Sequence, residues 1–213
     1  MRVLIVEERD LMIITPQEEL EKVFNVRARH VTCLGHLLMA APHPVVICIG
    51  SIVAGIGWIL SRARLRLVVG ALLIIYGFLL SIMIVWLSSM GFGEVAKWFF
   101  NYNILGSEVA VFSSITFVVG VTAYGMLIVS FFELGKKYDI TLFRCAATAL
   151  AFTIIMLFFT ATILVVAIGS RGIFSVSNIE TLLTTFELSV ISLIAINFIG
   201  NLLAGLGFLS KRS

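Results

Sequence analysis

Five stretches of this chain are apolar and carry no charge at their centres: Val45–Leu60, Leu67–Leu87, Val109–Phe132, Cys145–Gly169 and Leu182–Leu209. Crossing a hydrocarbon core takes about 20 residues of helix. Four of the stretches are that long; the first is shorter and can borrow length only from the segment before Pro42. In lipid every backbone amide must be bonded inside its own segment, so helix is the default. A β-barrel needs strands of about ten residues alternating in polarity, and the sequence has none. Composition agrees: 60% of residues are hydrophobic, 13% charged, and the mean hydropathy is +1.11. Soluble domains carry about 25% charged residues, so this chain cannot cover a water-facing surface. It reads as an all-α, polytopic integral membrane helical bundle of about five transmembrane helices, with membrane lipid as its first partner.

The stretch before the spans is more polar, which divides the chain into residues 1–43, outside the membrane, and 44–213, the bundle. Arg2–Glu7 and Leu11–Thr15 read as two short extended runs around Glu8-Arg9-Asp10. At Thr15-Pro16-Gln17-Glu18 the threonine can cap, proline suits the first helical position and Glu18 can complete a capping box. Leu20, Phe24, Val31, Leu34 and Leu38 then recur at helical spacing, opposite Glu18, Glu21, Lys22 and Arg29. That pattern predicts an amphipathic helix lying along the membrane surface until Pro42-His43-Pro44 breaks it. A two-stranded hairpin is too small to stand alone in water, so it needs lipid, its own loops or another chain.

Basic residues flanking spans face the cytoplasm more often than not. With five spans, Arg62, Arg64, Arg66, Lys136, Lys137, Arg144, Lys211 and Arg212 fall on one side, against Arg27, Arg29, Lys97 and Arg171 on the other. The expectation is a multi-pass protein of the cell membrane with a cytoplasmic C-terminus and an outer N-terminus. A formal net charge of +3 in short clusters fits orientation and gives no nucleic-acid surface. No cleavable leader is expected in the charged first thirty residues. Cys33, Cys48 and Cys145 form no CxxC pair and read as small buried hydrophobes.

Small residues let helices approach closely and hydroxyls bond across the seam. Such seams are expected at Ala146, Thr153, Thr160 and Ala167, at Ser113, Thr116, Gly120 and Ala123, and at the pairs Gly50/Ala54 and Gly200/Ala204. No internal repeat is visible. Residues 88–107 read as an aromatic loop, either a belt at the interface or a docking surface. The docking reading uses Phe92, Trp98, Phe99, Phe100 and Tyr102, with Val3, Ile5, Leu11 and Ile13 of the hairpin on the same side.

Three features bear on chemistry. Ser89-Met90-Gly91-Phe92-Gly93-Glu94 resembles the potassium-channel filter over six residues. The outer and half-buried helices of that family do not fit between Arg66 and Met90, so no pore is expected. His30, Cys33, His36 and His43 crowd fourteen residues, but on a helix His30 and His36 point about 120° apart. No metal and no haem is expected there. Among the acids, Glu108, Glu133 and Glu180 sit at span ends. Glu187, with Asn197 and Asn201 deeper in the last span, forms the best polar stripe for a solute or proton path. There is no phosphate loop, nucleophile elbow or deep carboxylate pair, so the chain is expected to be no enzyme and to hold no cofactor.

The run Glu133-Leu-Gly-Lys-Lys-Tyr-Asp-Ile-Thr-Leu-Phe-Arg144, set between spans, resembles the inter-span loop of small uncharacterised archaeal multi-span membrane proteins. That family has no assigned activity, so the resemblance implies a fold and nothing more. Three functions stay open, in this order. The first is a non-catalytic accessory subunit of a larger membrane assembly, respiratory or secretory, bound to other membrane subunits. The second is a small-solute or ion transporter using Glu187, Asn197 and Asn201. The third is a redox subunit holding a cofactor.

Overall fold

The computed structural model describes residues 24–61, 64–100, 108–169 and 176–210. They form six helices: α1 (Val26–Met39), α2 (Pro44–Ile59), α3 (Arg64–Phe100), α4 (Glu108–Lys137), α5 (Thr141–Gly169) and α6 (Val176–Leu209). No strand occurs among the described residues. Arg66–Trp86, Val111–Lys137, Thr141–Ile163 and Thr184–Leu209 are long and apolar enough to cross a membrane. The chain is a helical membrane bundle. Its fifth apolar stretch is α2, whose 16 residues rise only about 24 Å. The 14 residues of α1 rise about 21 Å. Both fall short of a hydrocarbon core of about 30 Å.

Which side of each helix turns inward follows from lipid as solvent. Val85, Val118, Ile155 and Ile191 are 68%, 61%, 58% and 63% exposed; facing lipid tails, they lose nothing by it. The faces that meet are small or hydroxylated: Thr116, Ala123, Ala146, Thr153, Ser189 and Ala204 are buried. Thr160 bonds Ser189 across the α5–α6 seam at 3.1 Å. The expected seams at Thr116, Gly120 and Ala123, and at Ala146, Thr153 and Thr160, are inward faces.

Each helix packs on the next in a closed ring, α1 on α2 through to α5 on α6, and α6 returns to α1. The α1–α2 hairpin therefore stands between α3 and α6. Glycines bring α2 close to both of its neighbours. A Cβ on Gly50 would lie 2.5 Å from the Met39 nitrogen of α1, and one on Gly55 would lie 2.6 Å from the Gly70 carbonyl of α3. Asn25 caps α1 by accepting from the Ala28 N–H at 2.8 Å, and Pro44 opens α2 where no N–H is needed.

Within residues 1–43, the part described as α1 packs on α2 and α6 as a wall of the bundle. Ala28, Thr32, Gly35 and His36 face inward, while Leu34 of the apolar stripe is 54% exposed. In lipid the large apolar residues face out and the small or polar ones pack. The hairpin and cap expected within residues 1–23 lie outside the described residues.

The ends of the chain are corrected. The Arg29 guanidinium donates to the Phe208 carbonyl, and the Phe24 and Phe208 rings lie 5.1 Å apart. The start of α1 thus shares an end of the bundle with the close of α6, instead of the opposite side. Arg66 stacks over Phe24 at 4.8 Å at this same end. The tight turn from α4 to α5 lies there too. Asp139 has φ 53°, and Arg144 donates to the Gly135 carbonyl at 2.9 Å and to Asp139 at 3.0 Å.

Residues 88–100 are not a loop, since α3 continues unbroken to Phe100. No proline interrupts it. Ser89–Glu94 are helical, so their carbonyls point along the axis and cannot form a filter.

Candidate functional site

The short hairpin leaves space above its tip. Gly77 of α3 faces the Cys48 carbonyl, where an added Cβ would come within 2.9 Å, so Pro44, one turn farther on, ends near the level of Leu80. Beyond that level the ring continues with four helices. A cavity of about 540 Å³ opens there, with Pro44 and Ile47 of the hairpin below it. Its walls are mostly apolar: Leu80 and Met83 of α3, Phe117 of α4, Leu157 of α5, Leu193 and Ile194 of α6. Ser113, Thr116 and Thr153 add hydroxyls, but each already donates to its own helix or to Met83. Tyr76, Tyr124 and Asn197 supply the polar part of the floor. Among the described residues no Asp, Glu, Lys, Arg or His lines it.

Below the floor runs a buried polar network. The Tyr124 hydroxyl donates to Asn197 Oδ1 at 3.0 Å. Asn201 Nδ2 donates to the same oxygen at 3.0 Å, filling it. Asn197 Nδ2 in turn donates to the Met39 carbonyl at 3.3 Å, where α1 ends. His36 Nδ1 meets Asn201 Oδ1 at 3.0 Å, and Trp58 Nε1 meets His36 Nε2 at 3.3 Å. An indole N–H can only donate, so Nε2 must accept and carry no hydrogen. The hydrogen then sits on Nδ1 and is given to Asn201, whose amide orientation follows in turn. The partners assign one neutral tautomer, and a second ring proton would face the Trp58 N–H. His36 and Asn201 are fully buried, as polar groups in apolar surroundings can be only when bonded.

Aromatic rings close the other end. The His36 ring packs 5.2 Å from Phe131. Phe24, Trp58, Phe131, Phe143 and Phe208 are buried, with Phe143 and Phe208 at 4.9 Å and Trp58 and Phe131 at 5.6 Å. The network is therefore held between an open cavity and a closed plug of rings.

The structure brings Asn197 and Asn201 into the site and leaves Glu187 out. Glu187 is exposed, ten residues or about 15 Å farther along α6. His30 is exposed and bonds the Val26 carbonyl at 2.8 Å. His43 is exposed at the start of α2, while His36 points inward. Among the described residues no three of His, Cys, Asp and Glu converge as metal ligands would. Cys33 and Cys48 are buried, but Cys145 is exposed on α5. Val3, Ile5, Leu11, Ile13 and Tyr102, and the side chains of Phe92, Trp98, Phe99 and Phe100, lie outside the described residues. Sequence reasoning missed Trp58, Tyr76 and Tyr124, and weighed His36 only as a metal or haem ligand. One signal was available for the tyrosines: in membranes they gather at the interfaces, whereas Tyr76 and Tyr124 fall mid-span.

The chain matches no protein-family model, no curated protein and no solved structure.

Proposed function

We propose that this protein is a carrier of the small-solute class, taking an uncharged, largely apolar molecule into the cavity above the hairpin tip. The observation that carries the reading is the cavity itself: about 540 Å³, apolar walls and a floor with a few polar groups. Binding sites for small molecules have this size and make-up. Asn197 of the polar stripe lies in its floor and Asn201 directly beneath. An ion is not the cargo on this reading, because an uncompensated charge in such surroundings is costly and the described lining residues offer no counter-charge. Sites near the middle of a helical bundle, closed at one end and open at the other, suit alternating access. The end bearing Arg27, Arg29, Arg66, Lys136, Lys137 and Arg144 faces the cytoplasm, and it is the end the rings close.

The test uses the purified chain in lipid nanodiscs and the uncharged dye Nile red. Saturable binding is expected, and Ile194→Trp should abolish it by filling the cavity mouth. Ile194 is 44% exposed, so the larger ring need not disturb the core. If binding never saturates, and other polypeptides co-purify in fixed ratio, the chain is an accessory subunit instead.

A further inference from the structure

Which head group the cavity accepts can be read from the hydrogen-bonding capacity left over at its floor. Asn197 Oδ1 is filled by Tyr124 and Asn201, so it has nothing to offer a ligand. Its amide nitrogen donates one hydrogen to Met39, and the second is used by no described residue. The Tyr76 hydroxyl also lines the cavity and bonds no described residue. Its ring is fixed by a T-shaped contact with Tyr124 at 6.2 Å. It also lies flat against Gly120, where an added Cβ would come within 2.7 Å of it. Among the described residues that line the cavity, two spare donors and no charge therefore face the ligand. The route to them is lateral. α3 and α6 are kept apart by the hairpin, and above its tip no described helix stands between them. Leu80 and Met83 on one side and Leu193 and Ile194 on the other line the cavity where these two helices face each other, and Ile194 is already 44% exposed.

Resting on the carrier reading, we infer that the cargo is a neutral amphiphile with an acceptor oxygen in its head, of the ketone, quinone or ester kind, and a hydrocarbon tail. The head seats on the N–H of Asn197 and the hydroxyl of Tyr76. The tail lies out between α3 and α6 into lipid.

Competition against Nile red in nanodiscs tests this with 2-undecanone, undecane and dodecyltrimethylammonium. The ketone should displace the dye at a bilayer fraction roughly 3- to 10-fold lower than undecane, the value of about one hydrogen bond. The cation should not compete. Tyr76→Phe keeps the ring and removes a hydroxyl with no partner among the described residues, so its thermal midpoint should hold while the ketone loses its advantage. A ketone with twice the tail length should compete as well as 2-undecanone, because the tail leaves the cavity. Equal potency of ketone and alkane, unchanged by Tyr76→Phe, overturns the head-group assignment while leaving the carrier reading intact. Exclusion of the long ketone overturns the lateral route. Absence of saturable Nile red binding overturns both this inference and the carrier reading.

Discussion

Adding one methyl group at Gly50 should loosen the hairpin, whereas the same change at Gly125 should tighten the bundle. A Cβ at Gly50 would sit 2.5 Å from the Met39 nitrogen and 2.9 Å from the Gly35 carbonyl, both rigid backbone. Ordinary contact begins near 3.4 Å, so α1 and α2 must part by about 0.9 Å. Overpacking of this kind costs about 1–3 kcal/mol. The displacement also falls on Met39, whose carbonyl is held by Asn197 across 3.3 Å, with no slack for a further ångström. Gly125 has nothing within 4 Å of an added Cβ. There alanine gains helix propensity, about 0.5–1 kcal/mol. For a chain of this length 1 kcal/mol moves the midpoint by roughly 2–4 °C. Gly50→Ala should therefore melt about 2–12 °C lower and Gly125→Ala about 1–4 °C higher, followed by tryptophan fluorescence in detergent. Equal midpoints for the two variants would refute the close approach of α1 and α2.

Reporters active only in the cytoplasm should give signal when fused at either terminus, since α1 begins at the end where α6 finishes; a silent N-terminal fusion would mean an odd number of crossings. At Asp139, in the left-handed region, Asp139→Gly should leave the melting point within error, its half-exposed pair with Arg144 being a weak surface one. Asp139→Val should lower it by the equivalent of about 1–2 kcal/mol, and a valine variant as stable as wild type would count against the turn. A membrane-permeant maleimide should label Cys145 in the folded protein and reach Cys33 and Cys48 only after denaturation.

The bundle was legible because lipid imposes a length and a composition that no soluble helix needs to meet, and the stretches from Leu67 onward satisfy both. The hairpin was not, for two reasons. Its helices are too short to register as spans, and α1 carries Arg27, Arg29 and three polar positions that in water would mark a surface helix. Half of the polar site, Asn197 and Asn201, stood out as amides in an otherwise apolar span. The other half depends on α1 and α2 meeting α4 and α6, and no local spacing encodes that His36 lies 3.0 Å from Asn201, 165 residues later. Glu187 drew attention by its charge, yet charge is what this interior excludes.

A histidine buried in a bilayer invites a short circuit, since imidazole can take a proton on one nitrogen and release it from the other. Here the relay has no way through. A proton entering from the ring side would have to be taken up at Nε2, the nitrogen without a hydrogen, and Nε2 faces the indole N–H of Trp58, which has no lone pair to relay one. Among the described residues the rings of Phe24, Phe131 and Phe208 pack around that indole. Vesicles holding the protein should keep a pH difference as long as empty ones do, and a faster decay would reveal a path around the indole. On the carrier reading proposed above, Trp58 is the insulating terminal of the network: the cavity grips a head group while the membrane around it stays electrically sealed.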